Sequence, residues 1–401
     1  MRKDEVAPQL HQYLAAVDGK SNVLAMVAPP TPRRLPPGNA GTPMLLSRAS
    51  LALGRLAGAI PHWQNPDLLT QTLARREAVQ SSQIEGTKTE LDELLTYEVT
   101  QSADGMPPDV RVTQHYVHAL QYGLDAVRSK GRQAITLELI HQMHATLMQD
   151  ERESVPAGQY RSIQAWIGST TRIEDATFVP TPPAHIAECM GELERSILQY
   201  QPAEDEQGEL TVIAQVAIAH AQFETIHPYS DGNGRTGRLL MPLILAAENY
   251  PPLYLSGSLM RNRAGYYAAL NDIQLRGNWT PWMEMVCRAI VESADDTLAI
   301  AEDLQLLVDE WEDLVQGYRR DSVASRLPRL LVAHPVVSVK QVAQLLDVSI
   351  RSALTGIDQL VAHKILLARD ERKWGRTFHA EAVLERLNQA PDEPRNSLRM
   401  G

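Results

Sequence analysis

At 401 residues, 44% of them hydrophobic and 22% charged, the chain is long enough for two or three globular domains and is not a low-complexity sequence. A formal net charge of −11 argues against a protein that binds nucleic acid or acidic membrane over its whole surface, though it leaves room for a local basic patch. The two cysteines, Cys189 and Cys287, stand far apart without CxxC spacing, which argues against a disulfide framework or a cysteine-built zinc site and fits a reducing, cytoplasmic setting.

The opening stretch MRKDEVAPQLHQYL lacks the apolar run of a signal peptide, and no later segment is uniformly apolar enough to span a membrane. Residues 29–43 (PPTPRRLPPGNAGTP) read as an extended arm. From Leu45 the apolar residues fall at three- and four-residue spacing. LLSRASLALGRLAGAI is one helical segment and LLTQTLARREAVQSSQIEGTKTELDELLTYEV a second, closed by the loop SADGMPPDV near residue 108. TQHYVHALQYGLDAV, TLELIHQMHATLMQ, IAECMGELERSILQY and LTVIAQVAIAHAQFETI continue the pattern. Between them, residues 158–183 carry β-branched and aromatic residues around Gly168-Ser169-Thr170-Thr171, the signature of a short β-hairpin. Further helices run to about residue 318. Residues 334–380 then give helix, turn, helix and two strand-like runs, the order of a winged helix-turn-helix. Ser338 and Ser349 are placed to cap its two helices. Arg351 stands near the start of the second, and Arg369, Arg372, Lys373 and Arg376 cluster at the proposed wing. Acidic residues are nearly as numerous here, so DNA binding and protein docking both stay open.

The densest chemistry lies in FETIHPYSDGNGRTGRLL, residues 223–240. His227 ends an apolar helix and precedes Pro228, which pushes it towards extended geometry. Gly232, Asn233 and Gly234 permit positive φ and close backbone approach. A helix beginning near Arg235 would then present free N–H groups and a positive dipole end, an anion site. Arg235 and Arg238 can clamp phosphate oxygens. Asp231 offers a carboxylate to a hard divalent cation, and His227 a base that titrates near neutrality. Pro242 removes a helical hydrogen bond and predicts a kink. Together these parts suit transfer from a nucleotide onto a hydroxyl.

HPYSDGNGRTGR resembles the signature of Fic proteins, HPFx(D/E)GNGRxxR, with Tyr229 replacing the usual Phe. The resemblance covers about residues 40–300. It implies a mainly α-helical fold with a short β-hairpin flap, and an enzyme transferring AMP from ATP, with Mg²⁺, to a Ser, Thr or Tyr hydroxyl of a target protein. His227 would be the base and Asp231 the metal ligand. Gly232, Asn233, Gly234, Arg235, Thr236, Gly237 and Arg238 would bind the nucleotide, Arg238 at the γ-phosphate. The hairpin at about 166–182 would dock the target by strand addition. In LYLSGSLMRNRAGYYAAL, also similar to the family, Asn262, Tyr266 and Tyr267 are candidate adenine contacts. The assembly the resemblance implies is a homodimer.

Upstream, SSQIEGTKTE puts Ser81 and Glu85 four apart on one helix face, with Gly86 beside Glu85 at a helix cost of about 1 kcal/mol relative to Ala. S-x-x-x-E-G resembles the family's inhibitory motif, (S/T)xxxE(G/N), and implies that Glu85 pairs with Arg238 where the γ-phosphate belongs. The expected division is an N-terminal arm and inhibitory helical region over 1–110, a catalytic core over 111–295, a linker helix over 296–325, a winged helix over 326–390 and a flexible tail over 391–401. Two other classes stay open: a related transferase or de-AMPylating enzyme with another nucleotide, and a nucleotide-sensing DNA-binding regulator.

Overall fold

A computed structural model of the chain describes residues 1–63, 66–149, 156–168, 170–202, 210–369 and 376–389. The fold is mainly α-helical with few strands, as the spacing of apolar residues predicts. An N-terminal pair of strands, β1 (Leu14–Val17) and β2 (Lys20–Met26), precedes α1 (Thr42–Ala59), α2 (Pro66–Ile84), α3 (Leu91–Thr100) and α4 (Val110–Lys130). Next come α5 (Leu137–Leu147), α6 (Pro183–Leu193), α7 (Val212–Ile226), α8 (Asn233–Ala247), α9 (Ser256–Arg261), α10 (Arg263–Arg276) and the long α11 (Thr280–Val315). The tail contributes α12 (Val323–Leu330), β3 (Val336–Ser338), α13 (Val339–Leu346), α14 (Ile350–Ala362), β4 (Leu367–Ala368), β5 (Thr377–His379) and α15 (Glu381–Asn388). No helix among the described residues is long and apolar enough to cross a membrane.

The chain divides into two units. One comprises residues 1–57, 80–86 and 115–294, the other residues 58–79, 87–114 and 295 onward. In the first, α7 is buried on every face from Ile213 to Ile226: IAQVAIAHAQFETI is mostly apolar or small, and its polar residues Gln215, His220, Gln222 and Glu224 are buried with the rest. α8 packs along α7, with α5, α6 and α10 against this pair. α8 runs on through Pro242, so the proline does not end it.

The same unit holds a hairpin that the helical spacing gave no hint of. β1 and β2 pair antiparallel through Asp18-Gly19, with Gly19 at φ 72°. An Asp-Gly pair between two apolar runs is its sequence signal. The predicted hairpin at 158–183 is reduced among the described residues to one antiparallel bridge, Ile167 to Phe178, with a 3-10 turn at Ile173–Asp175. Ser169 lies outside the described residues. This flap is seated on the N-terminal hairpin: the Met26 N–H donates to the Val179 carbonyl (2.9 Å) and the Ala28 N–H to Thr181 Oγ1 (3.1 Å). Val17, Val23, Ala25 and Met26 share one apolar cluster with Ile173, Phe178 and Val179.

One expectation needs correcting. The 68–99 pattern is not one helix: α2 stops at Ile84, one residue before Glu85, and Gly86 at φ 101° turns the chain out of it.

In the second unit, α3 lies against β3, β5 and α15. The three short strands form an antiparallel sheet in the order β3-β5-β4. Ser338 and Ser349 cap α13 and α14, accepting from the N–H groups of Gln341 (3.3 Å) and Ser352 (3.1 Å). Of the basic residues assigned to a wing, Arg372 and Lys373 lie outside the described residues, as does the 391–401 tail.

Candidate active site

The loop His227–Gly232 joins α7 to α8, and its shape is set residue by residue. His227 caps α7 in the left-handed region (φ 52°, ψ 63°), its N–H donating to the Phe223 carbonyl (2.8 Å). This corrects the extended geometry expected before a proline. The Asn233 side chain clamps the loop from the other end: Oδ1 accepts the Tyr229 N–H (2.9 Å) and Nδ2 donates to the Tyr229 carbonyl (2.8 Å). Both ends of this amide are therefore engaged with the loop backbone, leaving the residue's main chain as what it offers a ligand.

The two glycines serve different needs. Gly232 takes positive φ (73°), and a Cβ there would meet Met148 Sδ at 2.7 Å. Gly234 does not share that positive φ. Its missing Cβ makes room, since one there would collide with the Glu85 carboxylate and stand 3.0 Å from Arg238 Nη1.

Arg238 is 1% exposed and fully engaged. Nε donates to Ser81 Oγ (2.8 Å), and Nη2 donates to the Ser81 carbonyl (2.9 Å) and to Glu85 Oε1 (2.6 Å). Nη1 approaches the Tyr266 hydroxyl at 3.4 Å. Burial works against the Arg238 charge, and the Glu85 carboxylate outweighs it, so the guanidinium is held above its ordinary value. The Glu85 side chain is 35% exposed. Arg235 is buried too, with Nη2 3.8 Å from Met148 Sδ and 3.9 Å from Asp231 Oδ1. Asp231 remains 58% exposed, and its Oδ1 accepts the Gly232 N–H (2.6 Å).

His227 Nδ1 faces Glu224 Oε2 at 3.7 Å, beyond hydrogen-bond distance. Burial pushes the Glu224 carboxyl up, but His227, His220 and Arg238 together hold it below its usual value. The substitution of Tyr229 is accommodated. Its ring stacks on His144 at 3.6 Å and its hydroxyl meets His141 Nδ1 at 3.0 Å.

Three predicted nucleotide contacts change standing. Tyr266 is 1% exposed, its hydroxyl 2.9 Å from His220 Nε2, so it packs the core beneath Arg238 and offers adenine no face. Thr236 is fully buried. Gly237 is pressed against α7, where a Cβ would meet Glu224 Oε1 at 2.9 Å and Phe223 Cδ1 at 3.2 Å. Both belong to the α7–α8 seam. Asn262 caps α10, accepting the Gly265 N–H (3.2 Å), and Tyr267, 37% exposed under the Arg263 guanidinium, keeps an accessible face.

Three residues went unread in the sequence. His144 accepts the Gly158 N–H at Nδ1 (2.8 Å), which fixes its proton on Nε2, from where it donates to the Asp231 carbonyl (3.0 Å). Burial pushes its pKa down to about 4, so the ring is neutral. Glu224 and Arg161 are the others. Arg161 donates from Nε to the His227 carbonyl (2.9 Å), and burial lowers its pKa to about 10. His141 and His144, three apart on a helix with apolar neighbours, were the available signal for the first.

A glycine-lined helix start above a buried arginine, with a histidine held at the end of the preceding helix, defines a class of helical domain built around an anion seat. A Fic/DOC family N-terminal profile matches residues 44–125 and a Fic/DOC family profile residues 134–245. Over these residues the chain carries a Fic/DOC N-terminal domain and a Fic/DOC domain. Protein adenylyltransferase fic-1 of Caenorhabditis elegans is 30% identical over 206 residues, 48% of this chain and 37% of that protein. Protein adenylyltransferase Fic of Nematostella vectensis is 29% identical over 181 residues, 45% of this chain and 38% of that protein. The chain thus spans well under half the length of these curated relatives. Among solved structures, a Fic family protein from Desulfovibrio desulfuricans aligns with a TM-score of 0.52 at 18% identity, over 86% of this chain and 98% of the other. A Fic domain containing signaling protein from Bacteroides thetaiotaomicron gives 0.51 at 16% identity, over 66% and 97%. At such identities these two speak for the fold alone.

Proposed function

We propose that the chain is a protein adenylyltransferase held off by its own Glu85. The observation that carries this reading is the seat above Gly234 and Arg238, where the Glu85 carboxylate occupies the position that a nucleotide phosphate would need. In this reading ATP is the donor and a Ser, Thr or Tyr hydroxyl of a target protein, or of the chain itself, is the acceptor. His227 Nε2 takes the hydroxyl proton. The oxygen attacks the α-phosphorus, a new P–O bond forms, the bond to the bridging oxygen breaks and diphosphate leaves. Backbone N–H groups at the start of α8 and the Arg238 guanidinium hold the phosphates.

The exposed Asp231 carboxylate beside that helix start fits Mg²⁺, which takes one or two carboxylates and completes its shell with phosphate and water. Bound there, the ion would supply charge neutralisation for the phosphates. Asn262 and Tyr267 are the remaining candidates for adenine contacts. In this reading the flap docks the target, residues 111–295 carry catalysis, and residues 326–390 form a winged helix. Its second helix exposes Ile350 and Leu354 beside Arg351, a surface that favours a protein partner over DNA. Self-association into a homodimer and a cytoplasmic location belong to the same reading.

Incubation of the full chain with Mg²⁺ and α-³²P-ATP tests it. Label should appear on protein with Glu85→Gly, weakly with wild type and not with Glu85→Gly/His227→Ala. No label from a Glu85→Gly chain that still binds ATP would overturn the reading in favour of another nucleotide.

A further inference from the structure

Arg161 is 3% exposed, and burial alone accounts for its lowered pKa, with no carboxylate facing it among the described residues. Burying an unpaired guanidinium is costly unless its donors are satisfied. Here they are satisfied entirely by backbone carbonyls. Nε donates to His227 (2.9 Å), Nη1 to Ile163 (3.1 Å) and Nη2 to Thr181. The Arg161 N–H itself donates to the Pro228 carbonyl (2.9 Å).

We infer that Arg161 is a positioning residue for the reaction, holding His227 in its left-handed conformation and coupling that conformation to both ends of the flap. A left-handed backbone costs a non-glycine residue about 1–2 kcal/mol and persists only where its surroundings over-determine it. The His227 N–H is committed to Phe223, and its carbonyl and the next one are committed to Arg161. Ile163 precedes the Ile167–Phe178 bridge of the flap and Thr181 follows it, so one rigid planar fork joins three segments. Lysine, a point donor on a flexible stem, cannot reproduce that fork. Displacement of a docked flap is thereby transmitted to the carbonyl of the base. The inference rests on the reading of His227 as the base.

The test uses the full chain with Glu85→Gly, alone and with Arg161→Lys or Arg161→Gln, the latter keeping planar donors without a buried charge. Steady-state label transfer, ATP titration and amide hydrogen exchange are measured for each. The expected result is a fall in kcat of about 10²-fold, as for a displacement near 1 Å, with KM for ATP and ATP affinity unchanged. Exchange should quicken together at 163–181 and 227–232 while α7 stays protected. Unchanged kcat, or ATP affinity lost in step with kcat, overturns the inference. So does faster exchange spread evenly over the domain. If Glu85→Gly itself transfers no label, the base reading has failed, and the paired exchange of flap and loop alone decides whether Arg161 couples them.

Discussion

The Glu85 carboxylate and the missing β-carbon of Gly234 compete for one small volume, and Arg238 closes that volume from the other side through its 2.6 Å ion pair with Glu85. Two anions cannot share it. Whatever binds there as an anion weakens the Glu85–Arg238 pair, and by linkage the pair weakens its binding by the same factor.

Glu85→Gly should therefore lower stability and raise sensitivity to ligand. Removing one partner of a fully buried pair costs about 3–5 kcal/mol. Glu85 is a third exposed and Arg238 keeps its bonds to Ser81, so we expect about 1–2 kcal/mol here. Thermal melts with and without Mg-ATP should show a larger ATP-induced rise in Tm for Glu85→Gly than for wild type. An equal rise in both would mean that Glu85 does not obstruct the seat.

Gly234→Ala separates the seat from the latch. The new methyl displaces the Glu85 carboxylate, and in the proposed reading it also invades the space a phosphate would take. ATP binding should fall at least tenfold, about 1.4 kcal/mol, and transfer should stay absent even with Glu85→Gly alongside. Activity restored by Gly234→Ala alone would show that the helix start has room to spare.

Tyr229→Phe restores the residue usual in the family signature and removes the hydroxyl that meets His141. One hydrogen bond of this kind contributes about 0.5–1.5 kcal/mol, so urea unfolding should register that loss. The ring still stacks on His144, and transfer rates should change little. A loss of transfer beyond tenfold would assign the hydroxyl a part in the chemistry.

The helical framework was legible because α1, α4, α5 and α7 repeat apolar residues at helical spacing, a local property. His227, Gly232 and Arg238 were legible because their chemistry is concentrated within twelve positions. Arg161 and Glu224 were not. Arg161 acts on carbonyls 66 residues away in sequence, and an arginine gives no sign of its acceptors when they are main chain. The difference between Tyr266 and Tyr267 was hidden for a related reason: adjacent tyrosines on a helix point to different faces, and Tyr266 faces the core while Tyr267 does not. The end of α2 before Glu85 was readable in principle from Gly86, whose positive φ stops a helix that the apolar spacing alone would continue.

The second unit carries a separate acid sensitivity. His334 is pushed down to about 4, first by burial and then by the Arg75 charge. Its folded pKa lies below the unfolded value of about 6.5, so the unfolded chain binds the extra proton between the two. The stability this neutral ring allows is complete above about pH 6.5 and is lost as pH falls towards 4, by at most about 3 kcal/mol. Urea midpoints at pH 7 and pH 5 should diverge for wild type and less so for His334→Leu. An identical divergence would place the acid-sensitive group elsewhere.

The hairpin of β1 and β2 lies outside the ranges shared with the family, yet it forms the floor on which the flap rests. Catalytic loop and flap support are thus separately mutable. Changes at Val23, Ala25 or Met26 can retilt the flap while HPYSDGNGRTGR stays untouched, so under the proposed reading the range of acceptors can diverge without any change in the chemistry.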